Sequence, residues 1–247
     1  KDVEIITLHL NGKEVSQYLS SAIWGMYRGN GSPVVPYLLQ SMHMALEEVL
    51  LEFAQILKSE IVHHILLKIL TNSKSASLTS IVCSVVLANP DKFHEIASIL
   101  FKTIELFHLD TIRCSNEFQA KSTFGIGYGM NKIKDILYTD ERLKSCEDKH
   151  RSLNLESLFF NYQLFGVKGF TEEQNSEFIE KLYKIIDQHK SNASTDKAYG
   201  ILLARMDRRN LIPKVSKHDD NNLLIEFSPK ELSDEHRNES EQAHNQY

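Results

Sequence analysis

The residues with the clearest chemical potential lie at Ser122 to Lys134, STFGIGYGMNKIK, where Gly125, Gly127 and Gly129 alternate and Lys132 follows. A glycine-rich loop feeding a helix can cradle phosphate, because its unpaired amides sit beside the positive end of the helix dipole. The spacing here departs from the known patterns. The dinucleotide fingerprint needs a glycine where Met130 stands, and the phosphate-loop pattern fails because Lys132 has Asn131 before it and Ile133 after it. The preceding CSNEFQAKS is too polar for the strand that should lead into such a loop. A linker over 121–129 between two helical halves accounts for the same glycines.

A second candidate is LLARMDRRN, where Arg205, Arg208 and Arg209 gather near a helix end beside Asp207. Guanidinium groups suit bidentate recognition of phosphate or carboxylate, which makes this cluster a candidate anion or nucleic-acid contact. The competing expectation is that these cations offset the helix dipole and pair with nearby acids. Trp24, Tyr27 and Arg28 offer either a stacking surface or a helix-terminal aromatic anchor, and the anchor is the simpler role.

Metal and acid–base chemistry find less support. His63 and His64 are adjacent, so on a helix they diverge by about 100° and cannot chelate one ion. His43 and Glu47 have i, i+4 spacing but lack a third ligand, and a helix-surface hydrogen bond is expected of them. Glu47 with Glu48, and Glu172 with Glu173, are expected as solvated helix carboxylates. No catalytic set, metal site or cofactor is therefore predicted.

The elements that must carry these residues are mainly helical. Asp2 to Leu10 is expected to be a short strand closed by Asn11-Gly12, and a helix is expected over Glu14 to Arg28, ending at RGNGSP. Pro36 suits a first helical turn, and Leu38, Leu39, Met42, Leu46, Val49, Leu50, Phe53 and Leu57 then recur at three- and four-residue spacing as one broad apolar face. Further helices are expected over Glu60–Leu70, Leu78–Ala88, Pro90–His108, Met130–Leu143, Leu153–Phe165, Glu172–His189 and Lys197–Arg208. Thr171 and Gln174 have capping-box form. Beyond Pro213 a small β-hairpin is expected, and 229–247 is a polar tail with almost nothing to bury. The predicted fold class is mainly α: an irregular antiparallel or solenoid-like helix array in two halves, 1–120 and 130–228, with a short N-terminal strand and a C-terminal hairpin.

Charge and cysteine usage narrow the function classes. A net charge of −5 argues against a dedicated nucleic-acid binder. Cys83, Cys114 and Cys146 are odd in number and match no paired zinc spacing, as expected of a reduced cytoplasmic setting. No apolar run approaches the roughly 18–20 residues of a membrane span. A start at Lys1 running directly into DVEIITLHL suggests a piece of a longer polypeptide.

The segments IWGMYRGNGSPVVPYLLQSMHMALEEVLLE, ASLTSIVCSVVLANPDKFHEIASILFKTIELFHLDTIR and LLARMDRRNLIP, with LLIEFSP after them, resemble an internal helical region of very large bacterial ATP-binding proteins of the antiphage-defence NTPase kind. The resemblance implies a nucleotide-binding module elsewhere in the polypeptide, and no nucleotide-binding residue is carried onto this chain. Two functions stand. One is a non-catalytic scaffold or interaction domain whose partners are other domains of the same polypeptide or a separate protein. The other is a nucleotide- or nucleic-acid-binding domain using Gly125, Gly127, Gly129 and Lys132 with Arg205, Arg208 and Arg209.

Overall fold

A computed structural model describes residues 3–10, 12–28, 37–124, 140, 143–192, 197–217 and 223–230. The chain is mainly helical with a β-hairpin near each end. It divides into two compact units, Lys1–Leu158 with Val167–Gly169, and Phe159–Gly166 with Phe170–Tyr247. The stretch expected as a linker contributes 121–124 to a helix, and its remaining residues lie outside those described.

The first unit opens with β1 (Glu4–Leu10) and β2 (Lys13–Leu19), paired antiparallel so that Leu10 faces Lys13 and Glu4 faces Leu19. The N-terminal strand is thus half of a hairpin, and the helix expected from Glu14 does not form there. The chain reverses between Leu10 and Lys13, and Gly12 takes a φ of +83°, a left-handed conformation that glycine adopts without penalty. Alternation then turns Ile6, Leu8, Leu10, Gln17 and Leu19 into the core. Gln17 is the polar exception: its Oε1 accepts from the Thr79 hydroxyl at 2.6 Å and its Nε2 donates to the Leu70 carbonyl at 3.4 Å.

Ser20 caps the short α1 (Ser21–Trp24), its hydroxyl accepting from the Ile23 amide, and a 3-10 turn follows at Met26–Arg28. The helices α2 (Tyr37–Ile56), α3 (Ser59–Asn72) and α4 (Ala76–Ala88) come next. α3 buries Val62, Leu66 and Leu70 along one stripe, whereas α4 is buried on almost every side, as its uniformly apolar and small residues permit. The helix expected over Pro90–His108 is two helices, α5 (His94–Leu100) and α6 (Ile104–Phe124). The break falls where Thr103 donates its hydroxyl to the Thr7 carbonyl of β1 and where Phe101 stacks on Phe107 with ring centroids 5.7 Å apart.

A 3-10 turn at Lys149–Ser152 leads into α7 (Leu155–Phe165), within which the unit boundary falls. The second unit adds α8 (Glu172–Asn192), α9 (Lys197–Met206), a 3-10 turn at Arg208–Asn210, and the antiparallel pair β3 (Leu211–Lys217) and β4 (Leu223–Pro229). The capping box forms as expected, with reciprocal Thr171 and Gln174 bonds of 2.9 and 3.2 Å. Phe178, Leu182, Ile185 and Ile186 of α8 form this unit's core, and Tyr162 packs edge-on against Phe178 at 5.3 Å. Pro229 closes β4 instead of opening the tail, and 231–247 lies outside the described residues.

Candidate functional site

The densest collection of chemically capable groups lies inside the first unit, where α2, α4, α6 and the two 3-10 turns bring polar side chains together. α2 contributes Gln40, His43 and Glu47; α6 contributes Asp110, Arg113 and Glu117; all six are buried. Each set repeats at i, i+3 and i+7, so each is a polar stripe in the position normally held by an apolar one. Arg28 enters from the first 3-10 turn, His150 and Arg151 from the second, and Ser84 from α4.

Three ion pairs fill the space. Arg151 grips Glu47 with both terminal nitrogens, the Nη2 to Oε2 bond measuring 3.1 Å, and Glu47 Oε1 also accepts from the Ser84 hydroxyl. Arg28 holds Glu117 through Nε and Nη2, the second bond at 2.9 Å. Arg113 forks onto Asp110 of its own helix at 2.9 and 3.2 Å, and donates to the carbonyls of Arg151, at 2.8 Å, and Leu153. Asp110 is a hub: it also accepts from Trp24 Nε1 at 3.4 Å and from the Leu155 amide at 2.9 Å, the latter at the start of α7. Three cations thus meet three anions in the same space, which is the condition under which buried charge is tolerated.

The geometry corrects two expectations. His43 and Glu47 do not form a surface hydrogen bond; His43 Nδ1 donates to the Leu39 carbonyl at 2.8 Å, which leaves Nε2 to accept from the Ser77 hydroxyl at 2.9 Å. Glu47 is buried in its pair with Arg151 and is no solvated carboxylate, whereas Glu48 is exposed as expected, as are Glu172 and Glu173. Trp24, Tyr27 and Arg28 are buried, and Arg151 lies 5.9 Å over the Tyr27 ring, so the aromatic pair anchors the core and offers no stacking surface.

Two consequences for reactivity follow. Burial raises the Cys83 thiol well above its ordinary value, and burial likewise raises Cys114 and Cys146 despite Arg113 and Arg28 nearby, so no thiolate is poised for attack. His150 moves the other way: burial, reinforced by Arg151, Arg113 and Arg28, lowers it to about 3 and leaves it neutral, and its Nε2 has no hydrogen-bond partner among the described residues. At the surface of the cluster, Arg28, Glu47, Glu48, Lys144, Asp148 and Arg151 border a cleft of about 430 Å³. The arginines at its floor are already committed to protein acceptors. No group of three or more metal-ligating side chains occurs among the described residues.

The arginine cluster near the chain's end lies in the second unit. Arg209 donates to Asp207 and Asp187 and lies 4.5 Å over the Tyr183 ring. Arg208 donates from Nη1 to the Gln163 carbonyl at 2.6 Å, and Arg205 is exposed. Burial pushes Asp207 up, but hydrogen bonds from Arg209 and Lys190 outweigh it and hold the carboxyl below its usual range. Gly125, Gly127, Gly129 and Lys132 lie outside the described residues. His63 and His64 sit on different sides of α3, and His63 lies 3.6 Å from Glu95.

No protein-family model and no curated protein matches the chain. Among the described residues no helix is long and apolar enough to cross a membrane.

Proposed function

We propose that this chain is a non-catalytic helical scaffold or interaction domain of a larger bacterial multidomain ATP-binding protein of the phage-defence kind. Its partners are other domains of the same polypeptide or a separate protein. The observation that carries this reading is the saturation of the buried cations. Arg151 directs Nε to the Ser145 carbonyl at 3.3 Å, Nη1 to Glu47 and Ser84, and Nη2 to Glu47, with Asp148 at 3.5 Å. An arginine so occupied has no free fork for a phosphate, and Arg28 and Arg113 each hold a carboxylate of their own. With the thiols kept protonated and His150 kept neutral, this polar core holds helices together and supplies no nucleophile or acid–base pair.

The test is a calorimetric titration of the 247-residue chain with ATP, GTP and a short oligonucleotide at low and moderate salt. No saturable heat is expected from any of them. Saturable nucleotide binding that disappears in Lys132→Ala would overturn the scaffold reading in favour of a phosphate-binding loop. Oligonucleotide binding that falls steeply with salt and is lost in Arg208→Ala/Arg209→Ala would replace it with a nucleic-acid contact.

A further inference from the structure

α2 leaves part of its apolar face exposed while it buries a polar stripe. Packed against α4 and the Met26–Arg28 turn, it buries Gln40, His43, Glu47, Leu50 and Ala54. Its outward face carries Leu38, Met42, Val49 and Ile56, which are 75%, 60%, 40% and 64% exposed. With Ala45 between Met42 and Val49, and Glu52 before Ile56, the outward positions follow alternating steps of four and three, the a/d spacing of a coiled-coil seam. The helix cannot roll to bury this seam, because Glu47 is held by Arg151 and Ser84, and His43 by Ser77.

From this seam we infer a docking surface for an amphipathic helix that carries lysine or arginine beside its apolar residues, a partner that rests on and sharpens the interaction role proposed above. Charge selects this occupant. Glu48 lies exposed at the edge of the seam and Glu52 exposed within it, neither has an ion-pair partner among the described residues, and α2 contains no lysine or arginine. A second copy of α2 would bring more carboxylates and no cation to meet them. A helix with basic flanks supplies the missing charge at the edge of the apolar contact, where complementary pairs select the partner and its register.

The experiment is fluorescence anisotropy of the full chain with a labelled helical peptide of about three heptads, bearing leucine at a and d and lysine at e and g, against a comparator with glutamate at e and g. The lysine peptide binds saturably and at least about tenfold more tightly than the glutamate peptide. Met42→Glu/Val49→Glu abolishes that binding at unchanged melting temperature, since both side chains are exposed. Leu38→Ser/Ile56→Ser does the same should the first variant melt early, and Glu48→Lys/Glu52→Lys reverses the peptide preference. Equal affinity for the two peptides, no saturable binding, or binding retained in the seam variants overturns the inference. Sedimentation that shows a dimer lost in Met42→Glu/Val49→Glu overturns it too, with a second copy as the occupant. Nucleotide binding would sink the scaffold reading while leaving the peptide result to stand alone; absent peptide binding without nucleotide binding sinks the seam and spares the scaffold.

Discussion

His150 makes the first unit acid-sensitive below the ordinary imidazole value of 6.5. In the unfolded chain the imidazole takes up a proton near 6.5, whereas in the folded chain burial and the guanidiniums of Arg151, Arg113 and Arg28 delay that uptake to about 3. Between these values the unfolded state binds more protons. The stability tied to keeping His150 neutral is therefore complete above 6.5 and is lost as pH falls. At about pH 5 the unfolded imidazole is roughly 1.5 pH units below its pKa, which corresponds to about 2 kcal/mol. Trp24 is the chain's single tryptophan, is buried, and donates to Asp110, so its fluorescence reports unfolding of this unit. Urea unfolding followed by Trp24 emission at about pH 7.5 and pH 5 measures the loss in the natural chain and in His150→Phe, whose ring has no nitrogen to protonate. The natural chain should lose about 2 kcal/mol more than the variant over this interval. Equal losses in the two would refute the claim that His150 is held neutral.

The central ion pair gives a second prediction. Glu47→Gln leaves Arg151 buried with the half-exposed Asp148 as its one ion-pair partner among the described residues, and should cost about 3 kcal/mol by the same fluorescence assay. Adding Arg151→Met should recover most of that loss, because it removes the uncompensated charge; a double variant as unstable as the two single losses summed would show that the pair does not act as a unit. At the hairpin, Gly12→Ala meets no atom within 4 Å of its new Cβ, so its cost is conformational, about 1 kcal/mol from the φ of +83°. No measurable change in the urea midpoint would argue against this turn.

Apolar periodicity was a sound guide wherever one face of an element is apolar and packed. The expected helices over 60–70, 78–88, 153–165 and 172–189 correspond to α3, α4, α7 and α8, displaced by a few residues at their ends. The Leu38–Leu57 stripe is only partly a core face: Leu50 is buried and Leu46, Phe53 and Leu57 are half-buried, while Leu38, Leu39, Met42 and Val49 are exposed. There the polar stripe has partners on α4 and the Lys149–Ser152 turn, and those bonds decide the rotation. KEVSQYL does not read as a strand because it puts a glutamine at an inward position, and the turn dipeptide Asn11-Gly12 is the stronger sequence signal for β2. The ion cluster left a weaker trace. Asp110, Arg113 and Glu117 share the i, i+3, i+7 spacing of Gln40, His43 and Glu47, but their partners Arg28 and Arg151 are 89 and 104 residues away from Glu117 and Glu47. Such pairings follow from the packing of whole helices, which local sequence does not contain.

The inward polar stripe and the outward apolar stripe of α2 are one arrangement seen from two sides. Replacing a buried ion pair with apolar residues of similar volume is often neutral or stabilising, so stability alone does not call for Glu47 and Arg151 where leucine would pack. What the pair does accomplish is orientation: with Glu47 bound to Arg151 and His43 to Ser77, rolling α2 to hide Leu38, Met42, Val49 and Ile56 would strand a buried guanidinium and a buried hydroxyl. An all-apolar helix would have no such preference and could bury whichever stripe packed best. The polar core thus keeps the apolar seam facing outward, which accounts for both anomalies with one cause and ties the interior of the first unit to the docking role proposed for its surface.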